Sequence, residues 1–517
     1  MSAPQPYVSL RGIRKAFGSN IALAEVDLDI FPGEVHALLG ENGAGKTTLM
    51  NVLYGLYKAD AGTISVAGKD VKVSGPSDSI ALGIFMVHQH FRLIQNFTSL
   101  ENVMLESGSG LLLDYKASRR KVEETAKAYG LEVDLDAKIK SLPIGAQQRV
   151  EILKALSTNP KVLILDEPTS SLTPQEADSV LASVRKFAEK GLGVVFITHK
   201  VREVMAVSDR ITVLKGGHLV TTALAKSLSE NRLVSLMMGG DEATEQLLST
   251  SPSSVIDRRR PEVALAVKGL TVLGGKKEIA VSDVSLTVQK GEILGLAGVS
   301  GNGQTELAEA ITGVRKPLKG EIFVGSTRVD GRPPRELIKL GVGYVPEDRM
   351  GAGLLPSMRV MENLILGHQR DEPFSKKGLM DYNEADSEAR QAIEEYSIKA
   401  RGPEASAGQL SGGNIQKLLI ARALLKQMNL VVAHNPTRGL DIKTTDYVLK
   451  SLLRQKDEGA GVLLISEDLD ELMLVSDSIC AIFKGELMGR VERKDFDKYA
   501  IGAMMAGRRQ EEGGSQA

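Results

Sequence analysis

The sequence predicts an α/β fold made of two phosphate-loop domains in tandem, each with a mostly parallel core sheet. Three observations carry this. Gly40-Glu41-Asn42-Gly43-Ala44-Gly45-Lys46-Thr47 fits the pattern GxxxxGK[ST], and a second copy, Gly298-Val299-Ser300-Gly301-Asn302-Gly303-Gln304-Thr305, begins 258 residues further on. A short apolar run precedes each copy, which gives the order strand, glycine-rich loop, helix that such a loop requires. The chain, at 517 residues, is long enough to bury two separate cores.

Taken in order, Val35-His36-Ala37-Leu38-Leu39 reads as a buried strand feeding the first loop, and Thr47 to Tyr57 as the helix after it. Val162-Leu163-Ile164-Leu165 and Val194-Val195-Phe196-Ile197 are further apolar runs ending in polar residues, as expected of parallel strands with functional groups at their C-terminal ends. Leu236-Met237-Met238-Gly239 closes the first half. The stretch from Gly239 to Pro261 is rich in Ser, Gly, Thr and charge and reads as a linker. The second half repeats the scheme with Glu292 to Ala297, Leu430 to Ala433 and Val462 to Ile465, and Ala503-Met504-Met505-Ala506-Gly507 closes it. The expected domains are 1–243 and 263–508, with a linker at 244–262 and a polar tail at 509–517.

Composition narrows the class. A formal net charge of −1, with both signs interspersed, argues against a nucleic-acid footprint, and Arg258-Arg259-Arg260 reads as solvated linker. The single cysteine, Cys480, excludes a disulfide framework and a CxxC zinc site and points to a reducing compartment. No charged start followed by an apolar core marks a signal peptide, and no apolar run of about 18 residues marks a membrane span. Any membrane role is expected to pass through a partner.

In a loop of this kind the backbone N–H groups surround the nucleotide phosphates, the lysine takes the β/γ oxygens and the hydroxyl holds Mg²⁺. Gln304 stands where Lys46 does in the first copy and carries no charge. Losing that contact costs about 1.5–3 kcal/mol, a tenfold to hundredfold or greater loss in binding. Gly298, Gly303 and Thr305 remain.

Leu410-Ser411-Gly412-Gly413-Asn414 resembles the LSGGQ signature of ABC ATPases, and Asp166-Glu167-Pro168-Thr169 resembles the end of their Walker B strand. With His199 beyond the next strand, the resemblance covers nearly the whole chain. It implies a tandem pair of ABC domains, each adding an antiparallel β subdomain and a helical subdomain to the core. It also implies that each ATP lies between the phosphate loop of one domain and the signature of the other. The first such pocket is complete. Gly40 to Thr48, that is Gly40, Glu41, Asn42, Gly43, Ala44, Gly45, Lys46, Thr47 and Thr48, would hold the phosphates. Thr47, Asp166 and Gln89 would hold Mg²⁺. Glu167 would be the general base, worth about 10²–10⁴-fold, and His199 would contact the γ-phosphate. Phe17 matches the aromatic that stacks on adenine. Ser411, Gly412, Gly413 and Asp441 would close the pocket from the other domain.

In the second pocket the matching positions depart together. Gln304 replaces the lysine, Pro143 the signature serine, and His434-Asn435 the Asp-Glu pair. Glu467 stands at the switch histidine, Glu347 at the Q-loop position and Thr173 at the D-loop aspartate, while Thr271 to Gly274 holds no aromatic. Scattered decay would touch both pockets, so the segregation implies one hydrolytic and one degenerate site. His88 and His90, beside Gln89, have strand-like alternation and read as structural.

Gly343-Tyr344-Val345-Pro346-Glu347-Asp348-Arg349 and Asn435-Pro436-Thr437-Arg438-Gly439-Leu440-Asp441 resemble the ATP-binding subunits of bacterial simple-sugar and nucleoside importers. Val87-His88-Gln89-His90-Phe91 and Ile144 to Lys154 are similar to the nucleoside branch. The resemblance implies one tandem chain per transporter, peripheral on the cytoplasmic face of the inner membrane, with two permeases and an extracytoplasmic solute-binding protein. The alternative is a ribose-like or galactose-like monosaccharide importer. A soluble translation factor of the same class typically keeps both sites and has a long charged helical linker, and a DNA-repair member would bring zinc cysteines or coiled coils. Leu93, Ile94 and Phe97 are read either as lining a permease-docking groove or as packing within the helical subdomain.

Overall fold

The computed structural model describes residues 5–18, 20–89, 91–107, 114–170, 172–238 and 262–510. His90, the segment from Gly239 to Pro261 and residues 511–517 lie outside the described residues, and with them most of the expected linker and tail. The chain divides into two compact units, Met1–Leu248 and Ser249–Ala517.

The first unit contains two sheets. Strands β1 (Val8–Phe17), β2 (Asn20–Ile30), β4 (Ala61–Val66) and β5 (Lys69–Val71) form an antiparallel sheet in the order β2-β1-β4-β5. Strands β3 (Val35–Leu39), β6 (Ile84–Val87), β7 (Val162–Asp166), β8 (Gly193–Thr198) and β9 (Arg210–Lys215) run parallel, with β10 (His218–Leu224) antiparallel at the edge, in the order β10-β9-β3-β8-β7-β6. Strand β7 shows why such strands read as continuous apolar runs. Val162 and Ile164 join the core shared with the antiparallel sheet, whereas Leu163 and Leu165 join the core under the helices Ser99–Ser107, Tyr115–Tyr129 and Ile144–Leu156. A strand buried on both faces has no polar side to show.

The helix after the first loop spans Lys46–Leu53, shorter than the expected Thr47 to Tyr57. Gly55, at φ 81°, turns the chain there, and a Cβ at that position would lie 2.7 Å from the Gly75 carbonyl oxygen. Leu93 is 8% exposed and belongs to the helical core, so it lines no open groove. Ile94 and Phe97 are 44% and 37% exposed.

The second unit repeats the plan. Its antiparallel sheet, β12-β11-β14-β15, joins β11 (Val263–Leu273), β12 (Ile279–Gln289), β14 (Lys319–Val324) and β15 (Thr327–Arg328). Strands β13 (Ile293–Ala297), β16 (Val342–Val345), β19 (Leu430–His434), β20 (Gly461–Ser466), β21 (Ser478–Phe483) and β22 (Glu486–Glu492) form the order β16-β19-β20-β13-β21-β22, the first unit's core order read from its other edge. Between them, a two-stranded hairpin of β17 (Ser375–Lys376) and β18 (Leu379–Met380) sits in the helical region. Of the expected tail, Arg509 pairs with Glu486 at 2.6 Å and Gln510 N–H donates to Met488 O at 2.9 Å, so these two residues are tied to β22.

Candidate functional site

Gly45 makes the first loop possible. Its φ is 101°, and a Cβ there would lie 2.6 Å from the Ala22 carbonyl oxygen. Gly303 repeats the conformation at φ 99° against the Ala280 carbonyl. The loop turns directly into the helix Lys46–Leu53, so its N–H groups and the helix N-terminus face one point. Lys46 is 6% exposed, and its ammonium donates to the carbonyls of Gly40 (2.7 Å) and Glu41 (3.0 Å). Burial lowers its pKa, against the opposing pull of Glu167 and Asp166.

Strand β7 ends at Asp166, whose carboxylate accepts from Thr47 Oγ1 at 3.2 and 3.4 Å. Burial first, then the neighbouring charge of Glu167, raises Asp166 to about 6. A hydroxyl beside a buried carboxylate is a hard oxygen set that suits Mg²⁺. Glu167 follows in a left-handed conformation, φ 47°, uncommon for such a side chain. Its N–H is held by Ile197 O on β8 at 2.9 Å. One carboxylate oxygen accepts from Gln89 Nε2 at 2.8 Å, and the other lies 3.1 Å from His199 Nδ1. Burial pushes the Glu167 pKa up, but the His199 hydrogen bond and charge, with Lys46 and Lys200, outweigh it and leave the carboxyl below its ordinary value. The group is held ionised between two side chains that fix its direction, the state a general base requires.

The structure thus brings together Lys46, Thr47, Asp166, Glu167, Gln89 and His199. Phe17 ends β1, is 45% exposed and packs edge-on to Tyr57 (centroids 5.2 Å apart), an open aromatic face. Gly40 to Thr48 form the loop and the first turn of its helix.

In the second unit Gln304 folds into its own loop. Its amide donates to Val299 O at 3.0 Å and accepts from Asn302 N–H at 3.1 Å, while Asn302 donates to the same Val299 O at 2.8 Å. The carboxamide is thus bonded at both ends within the loop. Asn435 keeps the backbone of Glu167, with φ 44° and its N–H on Ile465 O at 2.7 Å. Its side chain donates to Glu347 at 3.0 Å and accepts from Glu467 N–H at 3.1 Å. His434, buried at the end of β19, lies 3.6 Å from Glu347, and its Nδ1 has no hydrogen-bond partner. Burial lowers its pKa and keeps the imidazole neutral, against the pull of Glu347. An imidazole at the strand end, where the first unit has Asp166, is not the all-oxygen set of that unit.

The signature serine Ser411 precedes the helix Gly412–Ala423 without capping it, and its hydroxyl accepts only from Asn414 Nδ2, at 2.8 Å among the described residues. Asp441 caps the helix Ile442–Asp457. Pro143 takes the same extended backbone before Ile144–Leu156 (ψ 156°, against 157° at Ser411) but offers no hydroxyl. Thr173, at the D-loop position, caps Pro174–Glu189 with a reciprocal bond to Glu176.

Sequence reasoning missed Glu203, which accepts from Thr169 Oγ1 (2.7 Å) and Thr198 Oγ1 (3.3 Å) and ties the end of β7 to that of β8. Glu471 does the same for Thr437 and Ser466. The signal was a glutamate four residues after His199 and again four after Glu467.

A phosphate loop after one strand, and a buried aspartate and a polarised glutamate at the end of another in the same parallel sheet, set in duplicated units, define a P-loop ATP hydrolase. The ABC transporter family model matches residues 23–170 and again 281–438. The chain belongs to this family. It is 40% identical to the nucleoside import ATP-binding protein NupA of Lactococcus lactis over 98% of this chain and 99% of that one. It is 39% identical to the glucose import ATP-binding protein TsgD13 of Haloferax volcanii, over 97% and 96%. It is 38% identical to the guanosine import ATP-binding protein NupO of Bacillus subtilis, over 98% of each. No helix among the described residues is long and apolar enough to cross a membrane.

Proposed function

We propose that this chain powers nucleoside import through partner membrane permeases, with hydrolysis confined to the site at Lys46 and Glu167. The observation that carries the catalytic part is the Glu167 carboxylate held between Gln89 and His199, at 2.8 and 3.1 Å, in a unit that also keeps its lysine. Glu167 takes the proton of the attacking water, His199 and Lys46 face the γ-phosphate, and Phe17 stacks on the base. Thr47 and Asp166, with Gln89, would hold Mg²⁺, which when bound neutralises phosphate charge. In the second unit Ser411, Gly412 and Gly413, at the start of the helix Gly412–Ala423, and Asp441, which caps Ile442–Asp457, are the residues assigned to nucleotide binding. Gly298, Gly303, Gln304, Thr305, Pro143, His434, Asn435 and Glu467 make up the site without turnover.

Nucleosides are favoured because NupA and NupO are named for nucleoside and guanosine import. TsgD13 is named for glucose import, and a further relative, 35% identical, for ribose, which supports a monosaccharide as the second reading. The chain sits at the cytoplasmic face of the inner membrane, one tandem copy with two permeases and an extracytoplasmic binding protein. The domains are 1–243 and 263–508, joined by 244–262 and followed by a tail at 509–517.

Uptake of labelled nucleosides and simple sugars in cells lacking this chain tests the proposal, with complementation by wild type or Glu167→Gln. Loss of nucleoside uptake restored only by wild type is expected. Loss of sugar uptake alone moves the chain to the second reading, and no change for either class removes the importer role.

A further inference from the structure

In each unit the chain entering the antiparallel sheet passes over the turn that ends a short helix, Pro76–Ala81 in the first and Pro334–Lys339 in the second. The two units fill this junction differently. Tyr7 enters the first sheet, where its N–H donates to Ile30 O and its carbonyl accepts from Ala67 N–H, both at 2.8 Å. Its ring packs against the apolar core there, and its hydroxyl donates to the Leu82 carbonyl at 3.0 Å. Ala264 holds the same place in the second unit. Its carbonyl accepts from Gly325 N–H at 3.0 Å, and the next residue, Leu265, pairs with Val288 and Val324 as Val8 pairs with Ile30 and Val66. A methyl group stands where the first unit has a phenol.

Ala264 is buried and faces Gly461 at the start of β20, where any Cβ would collide with the methyl. Beside it lies a cleft of about 530 Å³, with Ala264, Val324 and Leu340 as its apolar lining. The Leu340 carbonyl, counterpart of the one Tyr7 reaches, accepts instead from Asn429 Nδ2 at 2.8 Å. Asn429 stands where the first unit has Lys161, since its N–H donates to Gly341 O at 2.8 Å as that of Lys161 does to Gly83 O at 2.7 Å. Asn429 also lines the cleft, and among the described residues no hydrogen bond reaches its Oδ1. At the mouth Lys290 and Glu262 pair at 2.7 Å, with side chains 42% and 72% exposed. Such a pair adds little stability, but its charges offset each other, so the mouth selects neither an anion nor a cation.

We propose that this cleft is a binding site for a neutral phenol, a single aromatic ring bearing a hydroxyl group. The ring lies against Ala264, Val324 and Leu340, and the hydroxyl donates to Asn429 Oδ1, replacing the bond that Tyr7 makes to Leu82 in the first unit. Small-molecule sites span about 300–1,000 Å³ and combine an apolar wall with a few polar groups that fix orientation, as this one does. The first unit supplies the ring from its own chain, whereas the second leaves the place to a ligand. The site lies within the second unit and does not depend on which solute is transported.

The probe is p-cresol, the tyrosine side chain as a free molecule, titrated against the full-length chain by calorimetry and ligand-observed NMR. Saturable binding of one equivalent per chain is expected. Ala264→Tyr, which returns the ring to the chain, should weaken that binding at least about tenfold. The methyl ether of p-cresol, whose oxygen cannot donate, should bind about 2- to 10-fold more weakly than p-cresol, the worth of one hydrogen bond. Asn429→Ala should remove that difference. Absence of saturable binding to the wild type overturns the proposal, and so does binding that both Ala264→Tyr and Asn429→Ala leave unchanged, which would put the probe elsewhere on the chain. Should Ala264→Tyr melt earlier than wild type, Asn429→Ala carries the test from an exposed side chain, and equal discrimination against the ether in wild type and variant then overturns the site.

Discussion

At the scale of single residues, Asp166 and Glu167 are adjacent carboxylates with opposite shifts. Asp166 is raised to about 6 by burial, while Glu167 is lowered by His199 once its own burial is overcome. Folding therefore stabilises protonated Asp166 and ionised Glu167. For Asp166 the sign follows from its raised folded value: its ionised form costs nothing below the ordinary value of 3.8, the cost grows as pH rises to about 6, and it is complete above that. Asp166→Asn is expected to stabilise the nucleotide-free protein at pH 7.5 by about 2 kcal/mol while removing activity, and the gain should vanish as pH falls toward 4. Denaturation midpoints of wild type and variant across that range measure it. Glu167 runs the other way, losing its contribution as pH falls. Glu167→Gln should cut turnover by about 10²–10⁴-fold with ATP affinity little changed, read as phosphate release under single-turnover conditions. Asn435→Asp should restore no second activity, because it sets a carboxylate against Glu347, now 3.0 Å from the Asn435 amide.

Among the elements, the helix Pro174–Glu189 shows how a position can lose one task and keep another. Thr173 replaces the D-loop aspartate, yet its hydroxyl and the Glu176 carboxylate cap the helix reciprocally. The same carboxylate lies over Gly145, where any Cβ would collide with Glu176 Oε1. A side chain at Gly145 would have to displace the Glu176 carboxylate from its place at the cap. Thr173→Ala should cost about 1 kcal/mol and Thr173→Asp close to nothing, measured as the shift in chemical denaturation. Motifs tied to backbone geometry were legible in the sequence: the loop glycines, the apolar strands and the signature all fall where their spacing put them. Boundaries set by a tertiary clash were not, as with the helix that stops at Leu53 because the chain must turn at Gly55 under Gly75. Nor were side-chain pairings between distant segments, since nothing local links Glu347 to Arg438 across 91 residues.

For the whole molecule, the repeat offset reports where the halves diverged. It is 258 residues from Gln89 to Glu347 and 268 from Pro143 to Ser411, so the extra length enters the helical region where β17 and β18 form their hairpin. The core sheets keep one strand order in both units, and the fold was legible because duplication printed each signal twice. The two loops differ in what they offer a phosphate. Lys46 is buried at one, its Nζ on the Gly40 and Glu41 carbonyls, whereas the Gln304 carboxamide closes the other on itself. Equilibrium titration with a non-hydrolysable ATP analogue should show one tight site per chain and a second at least about tenfold weaker, and Lys46→Ala should remove the tight one.

The exchanged amide and carboxylate at Asn435 and Glu347 act as a reciprocal lock. Replacing Asn435 alone with an acid faces two carboxylates, and replacing Glu347 alone with an amide strands Arg438 without its counter-charge. Either single replacement leaves an unbalanced group, and only the paired exchange restores the first unit's amide-to-carboxylate pattern. The difference between the units is thus held at this point by mutual dependence between two side chains, not by either one alone.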